Sequence, residues 1–324
     1  IANLNLSLNK LGDLPSSIQN LSRLQVLNVS DNHLDDLPNR FYNLSSLKTL
    51  DLSKNQFTSM PKEVIRLEKL TKLDIGFNKL NGLDEGVKDF PKLREFILRN
   101  NKLSDLPSQI GEIASLQLLN AQYNQLSSLP KEIGQLSRLE SLDLSFNKLD
   151  SLPSSIGMLS SLESLDLETN NLGNISDEIA KLSNLKVLDI SSNQLTELTH
   201  SVGDLARLER LLVHDNKLDS LPNEVESLSR LRYLNLRNNQ LTSMPTEIWE
   251  AAILDSIDVS LNQLIELPSP ARSNNGTIQL TYLDLSSNNL SGLPDDINKL
   301  VQLLNLNLSS NSIQFLPESF GELY

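Results

Sequence analysis

Fourteen asparagines stand in a fixed register along the chain. Asn9, Asn32, Asn55, Asn78, Asn101, Asn124, Asn147, Asn170, Asn193, Asn216, Asn239 and Asn262 are each 23 residues apart, Asn288 follows after 26, and Asn311 after a further 23. Around each runs the same pattern, apolar-x-x-apolar-x-apolar-x-x-Asn-x-apolar-x-x-apolar. A unit this short cannot bury its own apolar face. Stacking identical units makes the core continuous, so the chain is constrained to a repeat array.

The repeat LESLDLSFNKLDSLPSSIGMLSS shows what one unit builds. Leu142 and Leu144 alternate with Ser141, Asp143 and Ser145, the period of a short strand with one buried face. The strand is too short to stand alone and must pair with its equivalents. Asn147 sits where the chain turns inward. Its side chain carries a donor and an acceptor, so a stacked column of such residues can satisfy buried turn groups. The return half places Leu152, Pro153, Ile156 and Leu159 at the spacing of a helical or 3-10 turn. Eleven repeats carry this Pro, which suits the first position of the turn. The other three have Asp84, Ser176 and Thr199, all residues that favour helix N-caps. The period of 23 lies in the leucine-rich-repeat range. The expected fold is therefore an α/β leucine-rich-repeat solenoid of about fourteen repeats: a curved parallel sheet on the concave side and short helical or 3-10 turns on the convex side. Residues 1–324 read as a single leucine-rich-repeat domain. With no polar cap at either end, the expectation is a fragment of a longer protein.

Composition narrows the function. The net charge of −13 argues against nucleic acid or an anionic membrane as the main partner and favours a basic protein surface. No run approaches the length of a membrane span, so membrane insertion is not expected. The absence of cysteine points to a reducing compartment and a cytoplasmic location. Sequons such as the one at Asn20 follow from the repeat consensus. His33, His200 and His214 lie far apart, and no Gly-rich phosphate loop, Cys/His metal spacing or nucleophile elbow occurs. The chain is thus expected to be no enzyme, with no cofactor and no metal site, and to act as a binding surface.

The exposed sheet face takes its side chains from repeat positions 3, 5, 7, 8 and 10. Position 5 is mostly Asp or Asn. Asp143, Asp166 and Asp189 are expected to form a carboxylate column that welcomes basic groups from a partner. Two repeats break the rule, with Ile97 and Leu212. Beside Ile97 fall Arg99, Leu118 and Tyr123, with Phe77 and Phe146 one or two repeats away. Beside Leu212 fall Arg210, His214, Tyr233 and Arg237. Apolar, aromatic and Arg side chains grouped in this way resemble an interface hot spot. A partner is expected to span the face between them. The only insertion falls at residues 268–276, rich in Pro, Ser and Asn, and reads as a loop. Trp249, the sole Trp, either forms a small convex patch just before it or covers the core.

The unit LSSLPKEIGQLSRLESLDLSFNKL resembles the intracellular Ras-associated class of leucine-rich repeats, which includes Shoc-type Ras scaffold proteins, plant intracellular Ras-group proteins and the repeat region of fungal adenylyl cyclase. The resemblance covers the whole chain. The stretch SMPTEIWEAAILDSIDVSLNQLIELPSPARSNNGTIQLTYLDLSSNNL is most similar to the fungal cyclase, where a Trp-containing return segment precedes a lengthened Pro/Ser-rich repeat. The resemblance implies a non-catalytic interaction module or scaffold in intracellular signalling that binds a folded protein, with a Ras-like small GTPase first. No catalytic residue of a cyclase domain has a counterpart here. Two alternatives remain: a phosphatase-associated scaffold that holds a phosphatase subunit, and an extracellular recognition ectodomain.

Overall fold

The apolar-x-apolar alternation gives three-residue strands whose central side chain is buried, except in the first and last strands, where Leu4 and Leu306 are half-buried. The computed structural model describes residues 1–251, 253–270 and 277–323. They form two compact units, Ile1–Leu162 and Glu163–Tyr324.

In the first unit the strands are β1 (Asn3–Asn5), β2 (Val26–Asn28), β3 (Thr49–Asp51), β4 (Lys72–Asp74), β5 (Glu95–Ile97), β6 (Leu118–Asn120) and β7 (Ser141–Asp143). They pair in chain order, all parallel. Their centres align without slippage: Leu50 against Leu73, Leu73 against Phe96, Phe96 against Leu119. The second unit repeats the plan with β8 (Ser164–Asp166), β9 (Val187–Asp189), β10 (Arg210–Leu212), β11 (Tyr233–Asn235), β12 (Ser256–Asp258), β13 (Tyr282–Asp284) and β14 (Asn305–Asn307). These too pair in parallel and in sequence. The strand centres and the apolar residues of the return segments fill the core, at about 1.5–3 kcal/mol per large side chain buried.

Each inward Asn holds two successive turns. Asn55 donates from Nδ2 to the carbonyls of Leu52 (3.1 Å) and Ser53 (3.1 Å) in its own repeat and of Val29 (3.0 Å) in the preceding one. Its Oδ1 accepts the Leu34 N–H of the preceding repeat at 3.0 Å. The same set recurs at Asn78, Asn193 and Asn239. The residue before each Asn adopts a left-handed conformation, with φ between 53° and 58° in all fourteen repeats, yet none of them is Gly. Position 5 supports this turn. Its Asp or Asn accepts the N–H two residues on, as Asp51 does from Ser53 (2.9 Å) and Asn28 from Ser30 (2.8 Å). That bond offsets part of the strain that a left-handed L-residue carries.

The return segments are 3-10 turns, such as Ser108–Glu112 and Lys131–Gln135 in the first unit and Asn223–Ser227 and Thr246–Glu250 in the second. A four-residue α-helix, Lys62–Ile65, takes the place of one. The Pro stands one residue earlier than the sequence suggests. Pro107, Pro130 and Pro153 are N-caps in extended conformation, with ψ of 151°, 144° and 146°, not first-turn residues. The reason is that the N-cap carbonyl opens the turn, the Pro107 oxygen accepting the Ile110 N–H at 3.0 Å, while no N–H is needed at the N-cap and Pro has none. Asp84 and Thr199 cap with their side chains, accepting from Gly86 and Ser201. Ser176 occupies the N-cap without a side-chain bond.

At repeat position 19 some return turns come very close to the next. Gly111, Gly134 and Gly203 hold that position in close-stacked repeats, whereas Tyr42 and Trp249 hold it elsewhere. A Cβ on Gly134 would lie 2.4 Å from the Ser155 carbonyl oxygen. Gly134→Ala is therefore expected to destabilise by about 1–3 kcal/mol in urea unfolding, because two backbones must separate. Gly12→Ala, with nothing within 4 Å of the added carbon, should be near neutral. Equal midpoints for the two variants would show that the close approach is unimportant. Trp249 is buried and donates from Nε1 to the Pro268 carbonyl at 3.0 Å, so it covers the core and makes no surface patch. Of the insertion, residues 271–276 lie outside the described residues.

Candidate functional site

On the first unit the residues around Ile97 come together as a cation–aromatic cluster. Ile97 ends β5, half-buried, between Asp74 of β4 and Asn120 of β6. Being apolar, it cannot supply the position-5 bond, and position 7 carries Arg99 in place of the common Ser. The Arg99 guanidinium lies 5.2 Å from the centroid of the Phe77 ring, and Lys54 Nζ lies 5.8 Å from the same ring. Gly76 makes room for this arrangement, since a Cβ there would lie 3.0 Å from Arg99 Cγ. Arg99 Nε is buried with no hydrogen-bond partner. Tyr123 and Phe146 stack at 4.1 Å between centroids and 10° between planes. Phe77 and Tyr123 remain 39% and 45% exposed. Leu118 stands half-buried at the start of β6.

Beside this cluster, burial pushes the Asp74 carboxyl above the usual carboxylate range; the Gly76 N–H and Arg99 pull the other way, and Asp51 adds to the rise. A raised folded-state pKa means that the stability Asp74 contributes is present at low pH and lost as pH rises through that value.

On the second unit Leu212 ends β10, half-buried. Arg210 pairs in register with Tyr233 and lies 4.6 Å from its ring centroid. His214 is half-buried, with Nε2 3.8 Å from Asp215 and a buried Nδ1 that has no hydrogen-bond partner. Arg237 is exposed and donates to Ser260 Oγ at 2.6 Å. The two apolar breaks thus share one construction: an apolar position 5, a basic group at position 7 with a buried unmatched nitrogen, and a cation over an aromatic ring.

The carboxylates at position 5 have local work first. Asp143 accepts from Ser145 N–H (3.1 Å), Ser145 Oγ (2.7 Å) and Asn120 Nδ2 (3.0 Å). Asp189 accepts from Ser191 through both N–H and hydroxyl, and Asp166 from the Glu168 N–H at 3.0 Å. Asp166, Glu168 and Asp189 bring carboxylate oxygens within 4.8 Å of one another on the second unit. Asp143 belongs to the first.

Sequence reasoning passed over three features. Lys54 at position 8 shares the Phe77 ring, and its signal was the repeat register itself, which puts both residues in one column. On the return side Arg66 covers the Tyr42 ring at 3.6 Å, and His200 Nδ1 meets Glu224 Oε2 at 2.8 Å. The hydrogen bond to Glu224 raises the His200 pKa, and the same bond lowers that of Glu224. The pair therefore holds best between the two titrations and weakens on either side. No described helix is long and apolar enough to cross a membrane.

Comparison with known proteins agrees with this architecture. The leucine rich repeat pattern matches residues 1–57, 24–80, 160–218 and 206–264, the leucine-rich repeat region pattern matches 78–171, and single leucine rich repeats match 279–300 and 302–323. No curated protein matches the chain. Among solved structures it is similar to a leucine-rich-repeat protein of Leptospira interrogans, at 32% identity and TM-score 0.88 over 100% of this chain and 88% of that one. YopM of Yersinia enterocolitica is 29% identical with TM-score 0.72, over 98% of this chain and 63% of its own. The Drosophila Toll–Spätzle complex gives 26% and 0.85, over 98% of this chain and 45% of that one. The chain spans less than two thirds of the last two. The matched patterns describe repeats of a non-catalytic protein-binding fold and include no enzyme family. With the Asn column, the parallel strands and the 3-10 returns all in the register those patterns require, the chain belongs to the leucine-rich-repeat family.

Proposed function

We propose that this chain binds a folded protein on the open face of its strands, through the clusters centred on Ile97 and Leu212. The carrying observation is that the two positions where the face loses its polar residue are the two where a ring and a cation are assembled beside it. Aromatic and Arg side chains of this kind supply most of the energy in protein interfaces. Our first choice of partner is a Ras-like small GTPase, in a cytoplasmic signalling protein of scaffold or fungal-cyclase type. The Leu-Pro-x-x-Ile repeats and the lack of cysteine support that choice.

The test is capture of partners by the purified chain, with Ras-like GTPases offered in GTP-analogue and GDP forms. Arg99→Ala and Tyr233→Ala are each expected to weaken binding by at least about 1 kcal/mol while leaving the fold intact. A captured protein that binds both variants as tightly as the parent would remove the open face as the site. Capture that ignores every GTPase would remove the Ras choice alone. A second reading, an extracellular recognition domain, is favoured by the similarity to Toll, whose structure was solved with Spätzle, and to a plant peptide hormone receptor in complex with RGF2, at 28% identity. Finding the native protein outside the cell would select it.

A further inference from the structure

Side chains at positions 7, 8 and 10 leave each repeat just beyond the strand and line its turn edge. From the third to the seventh repeat this edge carries Lys54, Lys79, Arg99, Lys102 and Lys148, with the rings of Phe77, Tyr123 and Phe146, and no acidic residue at any of these positions. The whole chain has net charge −13, so the concentration is a reversal of the general sign. The second unit has nothing comparable at these positions, where Ser, Gln and Asn predominate.

The edge is ordered as well as basic. Position 10 is fixed to the preceding repeat by main-chain bonds, Lys79 to the Phe57 carbonyl and Lys102 to the Leu80 carbonyl, both 2.8 Å. Their side chains project into solvent. Among the described residues no ion pair engages Lys54, Lys79, Arg99 or Lys102. The Arg99 guanidinium lies 5.2 Å from the Phe77 ring centroid, near enough to the Asp74 carboxyl for the two charges to act on each other. Such a guanidinium is oriented before any ligand arrives, which suits bidentate carboxylate binding. Asp105 and Asp150, three and two residues beyond position 10 of their repeats, accept from the hydroxyls of Ser104 and Ser151.

We propose that this edge of the first unit takes an acidic peptide segment of a partner protein, lying across successive repeats, with its carboxylates on Lys79, Arg99 and Lys102 and an aromatic side chain against the Tyr123–Phe146 stack. Repeats succeed one another at the strand spacing of about 4.8 Å, while same-side residues of an extended peptide recur at about 6.7 Å. A segment crossing at an angle therefore meets a new cation every repeat or two. The exposed stack offers a ring face to a third aromatic group. A bare polyanion would use only half of what is there. This proposal rests on the protein-binding reading above and narrows it to one chemistry on one edge.

The experiment uses a fluorescein-labelled synthetic peptide of repeating Glu-Glu-Tyr, titrated with the whole chain and followed by anisotropy. Peptides of Glu-Glu-Gly and Lys-Lys-Tyr and an oligo-dT strand serve as comparisons. Saturable binding of Glu-Glu-Tyr is expected, several-fold weaker for Glu-Glu-Gly and absent for Lys-Lys-Tyr. The double variant Lys79→Glu/Lys102→Glu should lose at least about ten-fold in affinity. Tyr123→Ala should lower the Glu-Glu-Tyr preference over Glu-Glu-Gly. Lys217→Glu, at position 10 of the second unit, should change nothing. No binding of Glu-Glu-Tyr, equal binding by the double variant, or tighter binding of oligo-dT would each overturn the proposal. The protein-binding reading would then stand or fall separately, on whether Tyr233→Ala weakens the captured partner.

Discussion

Phe96→Ala is expected to lower the unfolding free energy by about 3–5 kcal/mol, among the largest effects of any single change in the chain. Phe96 is the centre of β5, fully buried, in register between Leu73 and Leu119. The other strand centres of the first unit are all Leu. The larger ring reaches the return side, where it meets Phe90 edge-on at 5.8 Å and 65°. Truncation therefore opens a cavity between strand and return segment that rigid neighbouring repeats cannot close. Phe96→Leu restores the consensus and should cost under about 1.5 kcal/mol. Urea unfolding followed by circular dichroism reads both. Similar midpoints for the Ala and Leu variants would show that the ring carries no packing beyond the consensus.

Asn147→Ala should cost about 3 kcal/mol, from several buried polar groups left unmatched at about 1–3 kcal/mol each at most. Asn147 accepts the Leu126 N–H at 3.0 Å and donates to the carbonyls of Ala121 (3.0 Å), Leu144 (2.9 Å) and Ser145 (3.1 Å). Carbonyls have a second lone pair and other donors, so the Leu126 N–H is the group most penalised. Asn147→Asp keeps the acceptor and loses the donor, and places a charge where three carbonyl oxygens converge. It should be at least as destabilising at neutral pH and recover as the carboxyl protonates. A stability within a few tenths of a kcal/mol of the parent for either variant would refute the role assigned to the column.

The repeat, the strands and the Asn column were legible in the sequence because each demands one residue type at one place. Leu27, Leu50 and Leu73 can be read as core for that reason, and Asn55 as the turn's partner. The left-handed turn at position 8 was not legible. Lys54, Phe77, Asn100, Tyr123 and Thr169 all adopt it, so no Gly betrays the positive φ. Its signal lay three residues earlier, in the Asp or Asn of position 5. Read as a surface charge, Asp143 looked free for a partner; its bonds to Ser145 and Asn120 depend on a turn geometry that composition does not disclose. Trp249 was ambiguous for a related reason. Position 19 is Gly where the next return segment comes close, as at Gly111, Gly134 and Gly203, but elsewhere takes residues as different as Lys88, Tyr42 and Trp249, and that closeness is a property of packing. The candidate clusters were found as departures from consensus at Ile97 and Leu212. What the sequence withheld was which rings the cations would choose.

The Asn bonds also give the stack a direction. Asn55 serves Leu34 and Val29 behind it, and Asn78 serves Phe57 and Leu52 behind it. Through these side chains each turn is completed by the repeat that follows, although main-chain bonds such as Asp31 N–H to the Ser53 carbonyl serve a turn from the repeat before. Peeling a repeat from the N-terminal side leaves its neighbour's Asn still bonded within its own turn. Peeling from the other side strips a donor from the turn that remains. During synthesis the chain emerges from its N-terminus, so every new repeat stays unfinished until the next Asn, 23 or once 26 residues later, leaves the ribosome and locks it. The growing edge is always the loose one, and a ribosome that pauses within a repeat pauses with the preceding turn unlocked.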